Sequence, residues 1–360
     1  MKILDWYILK RYLGTFSLFM LLFIPIAIVA NVAEKIGKIL SSDATTGETL
    51  TYYLDFSIYL SDQLMPIMVL LSVIWFTSKL ANNTEVIAFL SSGVSFLRFL
   101  RPYLVGATII FLLALVTSLF IAPDASAGYN QYKYEHLKRR KADRDNTQVY
   151  RQIADDEYVY VSHYQPRNKL GSSFSLEKFD GEVMTHKITG NSIQPSREND
   201  SLFTIRAYVK RTIIDGGRDI IEREVRKDTI FNFQLDDLTP VNYVAETLTF
   251  PELVDFINRE EERGSAYIGS YKVTAHKRWS VPVSIYILTI IAVAMSSKKR
   301  RGGMGVNLAL GIVIGMVFIF FDRIFGTLAK QSTFDPALAA WFPNIVFAIV
   351  ALYLLNNARK

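Results

Sequence analysis

The chain has 360 residues, half of them apolar, with 24 Phe, 19 Tyr, four His, no Cys and a formal net charge of +6. The absence of cysteine excludes disulfides and thiolate chemistry. The surplus of Lys and Arg lies in short loops between apolar runs, where it reads as a topology signal and gives no argument for nucleic acid.

Apolar runs near 12–33, 57–80, 97–121, 279–296, 304–326 and 336–355 each approach the roughly 20 residues that cross about 30 Å of hydrocarbon. The expectation is six transmembrane helices. The first run follows Lys2, Lys10 and Arg11, but it exceeds a secretory h-region, lacks a small-x-small cleavage site and ends in Glu34 and Lys35, so it reads as a span. After the second run comes "NNTEVIAFLSSGVS", residues 82–95, too short and polar to cross. Asn82 or Thr84 can cap a short helix over about 82–93, with Glu85 at its positive end, Val86, Phe89 and Leu90 on one apolar face and Ser91, Ser92 and Gly93 as its stop. Such a helix either lies against lipid or plugs into a groove on a soluble partner, with Glu85 giving an ionic contact.

Between the third and fourth runs, residues 122–276 form a polar insertion long enough for its own core. "QVYRQI", "EYVYVSHY", "SFSLEKF", "EVMTHKI" and "SLFTIRAYVKRTII" are rich in β-branched and aromatic residues and are separated by Gly, Asn, Asp and Pro clusters. They predict a sandwich or jelly roll, with positions such as Tyr158, Tyr160 or Phe174 facing inward. "TFPELVDFINREEERG" then predicts an amphipathic helix, with Thr249 as cap, Pro251 in the first turn, Leu253, Val254 and Ile257 on one face and Gly264 as stop. The domains expected are thus 1–121, 122–276 and 277–360.

Lys and Arg in the short loops set the orientation. Lys2, Lys10, Arg11, Lys79, Arg98, Arg101, Lys298 to Arg301, Arg359 and Lys360 fall on one side of six spans, which makes both termini and the 82–93 helix cytoplasmic and the insertion external. The chain has no G-x-x-x-x-G-K-[ST] loop, "GGMG" at 302–305 lacks the lysine of one, and the four His show no zinc spacing, so neither cofactor nor catalysis is expected. In the fifth run Gly311 and Gly315 make a small-x-x-x-small pattern that lets another helix approach closely.

The order of six helices with a β domain inserted after the third, together with "LANNTEVIAFLSSGVS", "DRIFGTLAK" and "WFPNIVF", resembles the LptF/LptG family of lipopolysaccharide export permeases over essentially the whole chain. "DRIFGTL" leans towards the G type. The resemblance implies a membrane α-helical fold of six transmembrane helices with a periplasmic β-jellyroll-like domain, in the bacterial inner membrane. It also implies a coupling helix (Glu85, Val86, Phe89, Leu90, Gly93) that docks into an LptB-like ATPase dimer. Asn82-Asn83-Thr84 replaces a basic residue often found before the family's glutamate, so the polar part of that contact differs. The other partners it implies are a second permease of the family, LptC/LptA-like jellyroll proteins and lipopolysaccharide, with ATP hydrolysed in the separate subunit. In the family, helices 1 and 5 line the lateral openings, which suggests Gly311 and Gly315 as packing positions near such a gate. Lys35, Lys38, Lys272, Lys277, Arg278, Arg323 and Lys330 gather at the outer ends of the helices. Snorkelling explains some of them, but Lys35, Lys38, Arg278 and Arg323 are candidates for gripping lipid phosphates. Asp322 points away from Arg323 and is expected to pair with a basic residue on another helix. A different class stays open, a membrane-anchored receptor or assembly protein with an extracytoplasmic β binding domain, and co-purification of an ATPase and a second permease-like chain tells the two apart.

Overall fold

The computed structural model describes residues 3–137, 147–154, 156–165, 168–196, 202–214, 218–231, 233, 235, 243–262, 265, 267–298, 303–331 and 334–359. Lys2, Gly264, the loop residues Lys299, Arg300 and Arg301, and Lys360 lie outside them. The chain divides into two compact units, one of Met1–Leu137, Glu246–Leu253 and Gly269–Lys360, the other of Lys138–Ala245 and Val254–Ile268.

The helices in chain order are α1 (Ile3–Leu40), α2 (Thr46–Asn82), α3 (Glu85–Ser91), α4 (Phe96–Val116), α5 (Ala122–Tyr132), α6 (Val244–Thr247), α7 (Phe250–Glu262), α8 (Ile268–Ser296), α9 (Gly303–Gln331) and α10 (Pro336–Arg359). Among the described residues six helical segments are long and apolar enough to cross a membrane, including one continuous from Phe96 to Leu137. Local sequence sets their starts. The Thr45 Oγ1 accepts from the Glu48 backbone N–H at 3.3 Å while the Glu48 carboxylate accepts from the Thr45 N–H at 2.7 Å, a reciprocal capping box for α2. Ser95 caps α4 by accepting from the Arg98 N–H. Inside the helical unit Ile8, Tyr12, Val69, Ile74, Tyr103, Ile285 and Leu288 are buried in one core. Leu21, Ile26, Val29, Met316, Phe320, Leu352 and Tyr353 stay exposed, the surface that hydrocarbon covers in a chain of this composition.

Two spans outlast their apolar runs. The third continues past residue 121 through a π-helical turn at Thr117–Ile121 into α5, because Pro123 sits in the first turn of α5, where a missing N–H costs nothing, and Ala122, Ala125 and Ser126 are small enough to be buried. The fourth begins at Ile268, so Lys272, Lys277 and Arg278 are helical residues and do not precede the helix.

The second unit is built on one six-stranded antiparallel sheet: β1 (Thr147–Ala154), β2 (Glu157–Gln165), β3 (Leu170–Asp180), β4 (Val183–Pro195), β5 (Leu202–Thr212) and β6 (Ile220–Ile230), paired in chain order. Val159, Val161, Phe174, Leu176, Ile188, Ile193, Phe203 and Ile205 form its core. Val161 stands opposite Phe174 and Val159 opposite Leu176, so Phe174 faces inward as expected, while Tyr158 and Tyr160 point to the other face. The error has a plain source: both parities of "EYVYV" are strand-forming and partly apolar. On the open edge, β6 carries Glu222, Arg223, Glu224, Arg226, Lys227 and Asp228, charges that oppose pairing with another sheet. Arg151 of β1 and Glu260 of α7, both buried, lie 3.9 Å apart and tie α7 to the sheet.

Candidate functional site

The surface helix α3 starts and ends on left-handed residues, Thr84 (φ 62°) and Gly93 (φ 82°). Only Gly adopts that conformation freely, which suits Gly93 as the stop. Thr84 supplies no side-chain cap. The expected apolar face divides: Val86 is buried in the helical core and Phe89 packs against it, 6.1 Å from the Phe99 ring, whereas Leu90 is exposed together with Ile87. The outward surface of α3 is therefore Ile87 and Leu90, flanked by Ala88, Ser91 and Ser92. The Glu85 Oε2 accepts from the Tyr7 hydroxyl at 3.2 Å, and its Oε1 accepts from the Asn83 Nδ2 at 3.2 Å. Beside it, Arg98 of α4 pairs with the buried Asp5 of α1 at 2.7 Å.

The basic residues expected to hold lipid fall into two groups. Lys35 donates to the Tyr52 hydroxyl at 3.3 Å, and that hydroxyl donates to the Asn31 Oδ1 at 3.2 Å. The Tyr52 ring is buried and stacks on Tyr129 and Tyr132, with centroids 5.5 and 4.5 Å apart, so the ammonium rests on a rigid aromatic cluster. Lys38, one turn further, is exposed.

Arg278 and Arg323 instead line a cavity of about 330 Å³ between α2, the junction of α4 with α5, α8 and α9. Asp62, Gln63, Lys277 and Asp322 share its wall with Phe318 and Ile319. Arg278 is buried and donates to the backbone carbonyls of Ser118, at 3.1 Å, and Leu248, at 2.6 Å. Arg323 is exposed and donates to the Gln63 Oε1 at 3.1 Å. Lys277 donates to the Asp322 carboxylate at 2.7 Å and to the Asp322 carbonyl at 3.1 Å, which supplies the expected partner on another helix. Hydropathy averages over Asp62 and Gln63, yet an ionisable residue such as Asp62 inside an apolar run marks a functional position by itself. The wall thus brings together three cations, Lys277, Arg278 and Arg323, and three carboxylates, Asp62, Glu246 and Asp322, beside apolar side chains. No group of three or more His, Cys, Asp or Glu that would hold a metal occurs among the described residues.

Gly311 and Gly315 lie where α9 packs on α2 of the same chain. A Cβ at Gly311 would overlap the buried Ile74 Cδ1, whereas one at Gly315 would meet the Leu70 Cδ2 at 3.4 Å and the Ile67 Cγ2 at 3.7 Å, ordinary contact.

A family model described as lipopolysaccharide export system permease LptF/LptG matches residues 6–357. Two relatives, each named lipopolysaccharide export system permease protein LptG, come from Escherichia coli strains K12 and O6:H1. Each is 19% identical over 291 residues, which cover 81% of this chain and 80% of the relative. With the match running through all six spans and the inserted sheet, the chain belongs to the LptF/LptG family of lipopolysaccharide export system permeases.

Proposed function

We propose that the chain is a permease subunit, of the G type, in an ABC transporter that extracts lipopolysaccharide from the bacterial inner membrane and passes it to a periplasmic bridge. The family match over residues 6–357 carries this reading. In it, both termini and α3 face the cytoplasm and the β1–β6 sheet lies in the periplasm as the first receiving surface, continued by LptC/LptA-like proteins. A second permease of the family completes the membrane part, and an LptB-like ATPase dimer hydrolyses ATP and docks on α3. Glu85 and Gly93 keep the roles the resemblance gives them, with Ile87 and Leu90 as the apolar contact and Val86 and Phe89 as the anchor that seats α3 on the bundle. Lys35, Lys38, Arg278 and Arg323 attract lipid phosphates, and Gly311 and Gly315 set the spacing of the gate helix α9 from α2.

Reversal of the coupling charge tests the reading. Loss of an interfacial charge contact costs about 2–5 kcal/mol, so Glu85→Lys leaves membrane insertion intact while the ATPase no longer co-purifies and export stops. Undiminished co-purification and export would remove the coupling role of α3.

A further inference from the structure

Glu85 opens α3 at a point where the helix does little to orient itself. Thr84, the residue before it, is held left-handed without being Gly and gives no side-chain cap, and its hydroxyl donates to the Asn83 carbonyl at 2.6 Å. The carboxylate is nevertheless fixed. One oxygen takes a hydrogen bond from Asn83, two residues earlier, and the other takes one from Tyr7, on α1 and 78 positions away in sequence. Both donors are neutral, and among the described residues Glu85 enters no ion pair. Its charge is oriented without being cancelled, and each oxygen keeps acceptor capacity for a further donor.

The ring that carries the donor is itself held. Arg11, one turn along α1, lies 5.6 Å from the Tyr7 ring centroid, a cation over an aromatic face. Asp5, half a turn before Tyr7, is buried and pairs with Arg98 in the first turn of α4, just past the far end of α3. The first two turns of α1 thus grip the segment at both of its flanks.

We propose that Tyr7 is a positioning residue for Glu85: its hydroxyl aims the Glu85 carboxylate at a cationic donor, Arg or Lys, on the ATPase that docks against α3. The proposal rests on the docking role of α3 given above and adds a residue outside that helix to it. Tyr7 acts through Glu85 and needs no contact of its own with the ATPase.

A double-mutant cycle on the assembled permease–ATPase complex in nanodiscs tests it, with the affinity of the purified ATPase for the permeases as the readout. Tyr7→Phe removes the hydroxyl and keeps the ring over which Arg11 sits. Loss of one hydrogen bond that preorganises the contact weakens ATPase association about two- to tenfold. In a Glu85→Ala background the same Tyr7→Phe change has no further effect. The proposal is overturned if Tyr7→Phe leaves association unchanged when Glu85 is present, or weakens it equally in both backgrounds, which a merely structural tyrosine would do. Unchanged association for Glu85→Ala alone overturns the docking role of α3, and the positioning role with it, so the two failures are read from different arms of the cycle.

Discussion

Adding one methyl group to Gly311 and to Gly315 of α9 separates the two positions. At Gly311 the new Cβ overlaps the Ile74 Cδ1, and Ile74 is fully buried in the core between α2 and α9. The overlapping atom is the far end of the buried Ile74 side chain, so Gly311→Ala makes that side chain change rotamer or shifts the helix, a cost of about 1–3 kcal/mol. At Gly315 the new Cβ lands at 3.4 Å from Leu70 and fills contact already on offer. There the gain in helix propensity, up to about 1 kcal/mol, is not offset. Gly311→Ala is thus destabilising and Gly315→Ala neutral or stabilising, despite the same change on the same face of one helix. Trimming Ile74 to Val removes the overlapping atom at a cost of about 0.5–1.5 kcal/mol by itself. The pair Gly311→Ala with Ile74→Val should be no less stable than Ile74→Val alone, a coupling that thermal unfolding of the purified protein in detergent detects directly. If Gly311→Ala melts like the parent, or if Ile74→Val adds its full cost on top, α9 does not sit on α2 through Gly311.

Arg278→Gln is expected to lower the yield of folded protein, since the Ser118 and Leu248 carbonyls lose a buried charged donor worth about 1.5–3 kcal/mol per bond; a normal yield and melting curve would reduce Arg278 to a ligand contact. Lys35→Gln with Lys38→Gln should reduce lipid retention and lipopolysaccharide-stimulated ATP hydrolysis while assembly stays normal, with high salt weakening the parent in the same direction; unchanged retention at low salt returns both to snorkelling. His186 in β4 is held below the ordinary 6.5 by partial burial first and by the Lys210 and Lys178 ammoniums next, against an opposing pull from Glu157. The folded chain then binds fewer protons than the unfolded chain below pH 6.5, so the stability present above that value is lost as pH falls through the folded pKa. Thermal unfolding should show a smaller acid-side loss in His186→Gln, and identical pH profiles would remove His186 from the account.

The six spans and the inserted sheet were legible because a hydrocarbon slab and a pleated sheet each impose a period on the sequence. What hydropathy cannot carry is a helix that stays helical after it stops being apolar. The stretch from Ala122 to Tyr132 is polar on average, and it is helical because its small residues let it lie against α2. The parity of β2 failed for a related reason, since Tyr158 and Val159 both suit a strand and only the opposing residues decide which one is inward. Within the candidate sites, residue type was readable and partner was not. Glu85 announced itself as a charge opening a short helix, yet Tyr7 comes from the other end of two long helices. The small-x-x-x-small pair in α9 signalled close approach, but not that the approaching helix is α2 of the same chain.

One pattern in the cavity was present in the sequence and is intelligible only with the fold. Asp62 stands four residues before Pro66 in α2, and Arg278 four residues before Pro282 in α8. A proline has no N–H for the carbonyl one turn earlier, so the Asp62 and Arg278 carbonyls each lose their helical donor. On a third side the backbone of the α4–α5 span winds through a π-helical turn that includes Ser118, whose carbonyl Arg278 takes up. Three spans therefore interrupt their backbone ladders around a single cavity. At membrane depth irregular backbone is tolerated only inside the protein or beside a polar cavity, because hydrocarbon offers no donor to a freed carbonyl. The charges and the interruptions support one another: Arg278 satisfies a carbonyl of the π-helical turn, while the freed carbonyls add acceptors where Asp62 and Asp322 already bring negative charge. A phosphate entering this space meets repulsion from those groups unless Arg278, Lys277 and Arg323 outweigh them, and Arg278 and Lys277 already donate within the wall. Arg323 is exposed and, among the described residues, is held by the neutral Gln63, so of the cations in the cavity its charge is the least committed and the one best able to turn towards an anionic headgroup.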